Sequence, residues 1–116
     1  MPGLIVLRPA DANETKEAWK FALQRRTGPT LLLLTRQKLP VLDQTKFTKA
    51  ESLVRGAYVL ASAPSPKILL IGTGSEVHLA LKAYGKLEEE GIAARIISMP
   101  SWELFEQQSA EYRESV

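Results

Sequence analysis

The stretch Gly28-Pro29-Thr30-Leu31-Leu32-Leu33-Leu34-Thr35-Arg36-Gln37 constrains the fold more than any other part of the chain. Gly28-Pro29 stops the segment before it, since glycine ends helices and proline cannot continue one. Leu31 to Leu34 is too short and too continuous to be one face of an amphipathic helix. Residues 30–35 therefore read as a central strand covered on both faces. Arg36 then stands just past the carboxyl end of a strand, where open α/β sheets bind ligands. Its guanidinium can grip a phosphate through two parallel hydrogen bonds. On the residues alone, the competing reading is a structural arginine paired with a carboxylate across a domain junction.

The neighbouring patterns extend this strand into a layered α/β arrangement. Leu4-Ile5-Val6-Leu7 reads as a strand ended by Arg8-Pro9. Asp11 reads as a helix N-cap with Glu14 three residues on, a capping-box variant. Ala18, Trp19, Ala22 and Leu23 are expected on the buried face of the helix that follows. The result is a β-α-β unit. Residues 38–50 are polar, contain Pro40 and show no period, which marks a linker. Strands are expected over 57–61 and, as a buried strand, over 67–71. Gly72-Thr73-Gly74 makes a tight turn into a helix over 75–90, with Val77, Ala80, Leu81, Tyr84 and Leu87 inward. Gly91 ends that helix as a C′ glycine. A strand over 94–99 and a short helix capped by Ser101 complete the pattern.

Composition excludes several classes of function. There is no cysteine, so disulfides, thiolate catalysis and thiolate metal sites are out. A single histidine, His78, argues further against a transition-metal site. It reads as a residue facing solvent or the edge of the helix packing. The net charge of +2 is too small to point to nucleic acid or a membrane surface. No apolar run approaches the roughly 20 residues that span a bilayer. The amino terminus carries no long apolar stretch of the signal-peptide kind.

Gly72-Thr73-Gly74-Ser75 lies between a strand and a helix, where helix-start amides can cradle an anion. Val77 occupies the third glycine position of the dinucleotide fingerprint, so that pattern fails, and a plain tight turn competes with an anion site. Arg8 and Asp11 read as a salt bridge or cap. Glu88-Glu89-Glu90 reads as a solvated face. Trp19, Trp102 and Phe105 read as core or interface.

Several runs together resemble transketolase. Arg8-Pro9-Ala10-Asp11-Ala12-Asn13-Glu14 matches the family's RPAD-x-NE run, and Thr35-Arg36-Gln37-Lys38-Leu39-Pro40 its [ST]RQ-x-LP run. Arg55-Gly56-Ala57-Tyr58-Val59-Leu60 is similar to its GGYVL strand, with Ala57 in place of the second glycine. Gly72 to Val77 and Glu111 to Val116 match two more runs, all in the family's order.

The resemblance implies a mostly parallel α/β fold with flanking helices and two β-α-β units, a truncated version of the transketolase C-terminal-domain architecture. It assigns residues 1–42 to the tail of the pyrimidine-binding domain and residues 43–116 to the first part of the C-terminal domain. It makes Arg36 the ligand of the sugar-substrate phosphate. It assigns no catalytic residue and no metal ligand to this chain. The family transfers a two-carbon ketol unit between sugar phosphates in the pentose phosphate pathway, using thiamine diphosphate and magnesium. It does so as a cytoplasmic homodimer. The metal-binding Gly-Asp-Gly…Asn motif and the glutamate-bearing, pyrimidine-holding segments have no counterpart here, so the chain alone is expected to bind no cofactor and to be inactive. Three readings follow: a transketolase segment, a subunit of a split transketolase completed by a partner chain, or a non-enzymatic α/β ligand-binding or regulatory module using Gly72–Ser75.

Overall fold

Apolar strands broken by Arg8-Pro9 and Gly28-Pro29 set up the first layer. The computed structural model describes residues 1–116. Strand β1 (Ile5–Leu7) leads into helix α1 (Ala12–Gln24), which returns the chain to strand β2 (Thr30–Leu32). The two strands pair in parallel, Ile5 opposite Thr30 and Leu7 opposite Leu32. The first β-α-β unit is thus formed as expected. The Arg25 guanidinium closes it, donating to the carbonyls of Pro29 and of Gly3, the latter at 2.6 Å.

Two expectations for this unit need correction. Strand β2 is three residues long rather than six, and it belongs to a two-stranded sheet. Leu31, Leu33 and Leu34 are exposed by 43%, 42% and 54%, so the strand is not covered on both faces. Only Leu32 packs into the core, because β1 is its one partner and helices lie on one side only. The buried face of α1 also differs. Glu14, Glu17 and Ala18 are buried and Phe21 packs beside them, whereas Trp19 and Leu23 are exposed. Positions 14, 17, 18 and 21 form the i, i+3, i+4, i+7 stripe of a helix. Hydropathy hides it because two of its members are glutamates.

After an irregular connector, a 3₁₀ helix (Ala50–Arg55) precedes strand β3 (Tyr58–Ser62). Strand β4 (Ile68–Gly72), helix α2 (Glu76–Glu89) and strand β5 (Ala94–Ser98) then form the second β-α-β unit, with β4 and β5 parallel. The sheet order is β3-β5-β4; β3 runs antiparallel to β5, with a bulge between Val59 and Ala61. Two of the three strand pairings are therefore parallel. Helix α2 turns Val77, Ala80, Leu81 and Tyr84 inward, as its period predicts. It ends at Gly91 (φ +75°), where Ile92 N donates to Leu87 O and Gly91 N to Glu88 O, the two bonds of a Schellman motif. Strand β4, expected to be buried, is an edge strand. Leu69 and Ile71 face outward at 54% and 60% exposure, since α2 covers only the opposite face.

Short helices α3 (Trp102–Glu106) and α4 (Ala110–Ser115) close the chain, each with a serine N-cap. Tyr112 ties α4 back to β3 by donating to Ala57 O at 2.8 Å. No helix is long and apolar enough to cross a membrane.

Neither core belongs to one sheet. Ile5, Leu7 and Ala18 from the first unit pack against Leu53 of the 3₁₀ helix and Leu104 of α3, in the second half of the chain. Ala10 packs with Tyr58, Leu60, Val77 and Ile96. Each large side chain buried this way contributes about 1.5–3 kcal/mol. The two halves are therefore joined by shared apolar surface as well as by the chain.

Candidate functional site

The carboxyl ends of β1 and β2 open onto one edge of the molecule. Arg8 follows β1 directly. Arg36 lies four residues beyond β2, exposed in a bend, with neither hydrogen-bond nor ion-pair partner. Next to it, Thr35 Oγ1 accepts from Gln37 N at 3.1 Å, shaping the bend that presents the guanidinium. The competing structural role, an ion pair across the junction, is not formed: the one ion pair of the chain is Lys20 with Glu17.

The Gly72–Ser75 turn packs against the same edge. Gly74 N donates to Arg8 O at 3.1 Å, and a cleft of about 240 Å³ is shared by Arg8, Thr35, Thr73, Gly74, Ser75 and Glu76. The structure thus brings the turn, Arg8 and the end of the leucine strand together; Arg36 itself is not part of that cleft wall. A Cβ at Gly72 would lie 2.8 Å from Val77 Cα, and Gly74 has φ +56°, so both glycines serve the close turn. Two helix-start amides are spent within it, Glu76 N on Thr73 O and Val77 N on Gly74 O. Glu76 places a negative charge at the same helix start, which opposes an anion there.

Arg8 and Asp11 do not pair. Arg8 lies over the Trp102 ring, 5.9 Å from its centre. Asp11 is the α1 cap: Oδ1 accepts from Glu14 N at 2.9 Å, while Oδ2 accepts from Leu42 N, also at 2.9 Å. Asn13 Nδ2 donates to Leu42 O at 3.0 Å. The RPAD-x-NE run therefore pins the end of the connector that carries Arg36.

Of the two positions expected of His78, the structure shows the edge of the helix packing. Half-buried on α2, it bonds the Ala10 carbonyl through Nε2 at 2.8 Å.

The most densely bonded polar group is one that sequence reasoning treated only as part of a cap. Glu14 is 2% exposed. Its Oε2 accepts from Ala10 N at 2.9 Å and its Oε1 from Ser98 Oγ at 2.9 Å and Tyr58 Oη at 3.3 Å. Burial pushes its carboxyl from 4.5 up to about 7, with the Asp11 charge adding to the rise and the three hydrogen bonds opposing it. Burial and the Glu14 charge likewise push Tyr58 up. The available signal was the glutamate at position i of the i, i+3, i+4, i+7 stripe. Nothing in the local sequence names Ser98 or Tyr58 as its partners.

The side chains present do not fit a metal-anchored diphosphate. No three His, Cys, Asp or Glu side chains converge, and the buried carboxylates of Asp11 and Glu14 are already held by backbone amides and hydroxyls.

Comparison with known proteins places these features. Residues 1–41 match the family model of the transketolase pyrimidine-binding domain, and residues 56–116 that of the transketolase-like C-terminal domain. The transketolase of Halalkalibacterium halodurans is 53% identical over all of this chain, which covers 18% of that protein. That of Aquifex aeolicus is 48% identical, with 100% of this chain and 17% of that protein covered. Among solved structures, the Pichia stipitis transketolase in complex with sedoheptulose 7-phosphate superposes with a TM-score of 0.89 and 42% identity, over 99% of this chain and 17% of that one. Leishmania mexicana transketolase gives 0.89 and 38%, over 100% and 17%. The chain thus spans less than one fifth of the length of the relatives it matches. With two family models together matching nearly all of its length, in the order the motifs predict, this chain belongs to the transketolase family.

Proposed function

We propose that this chain serves transketolase-type ketol transfer between sugar phosphates by contributing Arg36 as a substrate-phosphate ligand and by packing two domains together. Residues 1–42 are read as the end of the pyrimidine-binding domain and residues 43–116 as the beginning of the C-terminal domain. The observation that carries the reading is Arg36 itself, an unpaired, exposed guanidinium at the carboxyl edge of a parallel sheet. The neighbour from Pichia stipitis solved with sedoheptulose 7-phosphate supports a phosphorylated ketose as the ligand class. Thiamine diphosphate, magnesium, a dimeric assembly, the pentose phosphate pathway and a cytoplasmic setting belong to the same reading, with the cofactor held by residues outside this chain.

One solvent-facing arginine leaves affinity on the order of 1 mM or weaker. A ³¹P NMR titration of the chain with xylulose 5-phosphate should show weak binding that Arg36→Ala removes. Binding indifferent to that substitution would count against the assignment.

A second reading, a subunit completed by a partner chain, draws support from outward-facing apolar residues on both sheets: Leu31, Leu33 and Leu34 on one, Leu69 and Ile71 on the other. Co-purification with a diphosphate-binding subunit would favour it.

A further inference from the structure

We infer that Glu14 is a proton-operated latch between the two units: protonated, its carboxyl group holds the start of α1 against Tyr58 of β3 and Ser98 of β5, and ionised, it loosens that junction. The inference concerns the junction only and stands whether or not Arg36 binds phosphate.

The geometry argues it. Glu14 belongs to the first unit, and both of its side-chain partners belong to the three-stranded sheet, Tyr58 on β3 and Ser98 on β5. Of the three groups bonded to it, only the Ala10 amide is an obligate donor; a serine or tyrosine hydroxyl can donate or accept. The cluster can therefore accommodate a carboxylic acid that donates to one hydroxyl while accepting from Ala10 N. The same three donors can serve a carboxylate, but burial penalises its charge and no cation offsets it. Asp11, the charged group nearest along the helix, is also an acid, 5% exposed, with both oxygens already committed. No lysine or arginine bonds either carboxylate. Lys20 pairs with Glu17, one turn farther along α1. From α2, His78 reaches the Ala10 carbonyl rather than Glu14. Two buried carboxylates without a cation repel each other and lose hydration. A cavity of about 10 Å³ beside Glu14, Asp11, Tyr58 and Ser98 has room for about one water.

The sign follows from the upward shift from 4.5 to about 7. A carboxyl that binds its proton more tightly folded than unfolded favours the folded state in full below the unfolded value. That contribution is lost as pH rises through the folded value. The junction is thus tightest in acid and loosens between about pH 4.5 and pH 7.

Thermal unfolding of the 116-residue chain at pH 5.5 and pH 8.5 tests this, against Glu14→Gln, whose amide keeps the shape and can donate where the acid does. The wild-type midpoint should fall by about 5–10 °C more than that of the variant over this interval. His78 is present in both proteins and cancels in the comparison. Equal falls would overturn the latch. If the variant does not fold, the carboxyl ¹³C shift of Glu14 in the wild type decides: titration near 7 supports the latch and titration near 4.5 overturns it. A wild-type chain with no cooperative transition at either pH would overturn it too, because the junction would not be assembled.

Discussion

Gly56 shows how much one position can carry. It adopts φ +83°, and a Cβ there would stand 2.1 Å from Phe105 N and 2.5 Å from Ser101 O. Ser101 N also donates to Gly56 O at 3.0 Å, so the backbone of β3's approach lies directly against the start of α3. Gly56→Ala would force backbone apart as well as strain φ, and should cost about 3 kcal/mol or more, read as a lowered urea midpoint. Its GGYVL-like run was legible in sequence as a family motif, but the reason for the glycine was not, because Phe105 is 49 residues away. Arg36 is the opposite case. Its exposure and freedom follow from its place just after an apolar run, and sequence reasoning located it without needing the fold. Glu14 was legible only as the partner of the Asp11 cap, and the burial of Glu14 and Glu17 was not, since burial of a charged side chain depends on partners that local sequence does not reveal.

At the scale of elements, Asp11 connects local capping to tertiary structure. Its two oxygens hold Glu14 N and Leu42 N. Asp11→Ala removes both bonds at a 5% exposed position and should cost about 2–3 kcal/mol. Asp11→Asn keeps one acceptor for the cap but turns an amide donor toward a second N–H, so it should fall between wild type and Ala in thermal midpoint. The cap itself was readable from Asp11 and Glu14; the anchoring of Leu42 was not. The same division runs through the strands. A run of leucines correctly announced β2, and the paired glycines correctly announced the turn into α2. Coverage of a strand face depends on what packs over it, and β2 and β4 each have helices on one side only.

The whole molecule is organised around the junction. Both apolar clusters draw side chains from both halves of the chain, and Asp11, Asn13, Glu14 and His78 bond across it or to the connector. This arrangement leaves Arg36 exposed at a sheet edge and joins two layers, but it assembles no group of ligands for a metal-anchored diphosphate. With thiamine diphosphate, magnesium, xylulose 5-phosphate and ribose 5-phosphate, the isolated chain should therefore give no transketolase turnover in a coupled spectrophotometric assay. Turnover above the no-protein blank would mean that ketol transfer proceeds on residues other than those its chemistry needs.

The sequence by itself determined the five strands, the two long helices and the helix after Ser101, both β-α-β units, the caps at Asp11, Ser101 and Gly91, the family and the position of Arg36, but not the 3₁₀ helix or α4. Each feature so determined is written in a local period, a turn residue or a contiguous motif. Only the tertiary structure decided which faces of β2 and β4 stay open, which stripe of α1 is buried, and that Glu14 closes on Tyr58 and Ser98, 44 and 84 residues away. Those outcomes depend on which elements meet in space. A short chain segment carries its own periodicity, but the desolvation of a charge and the covering of an apolar face are settled by distant partners.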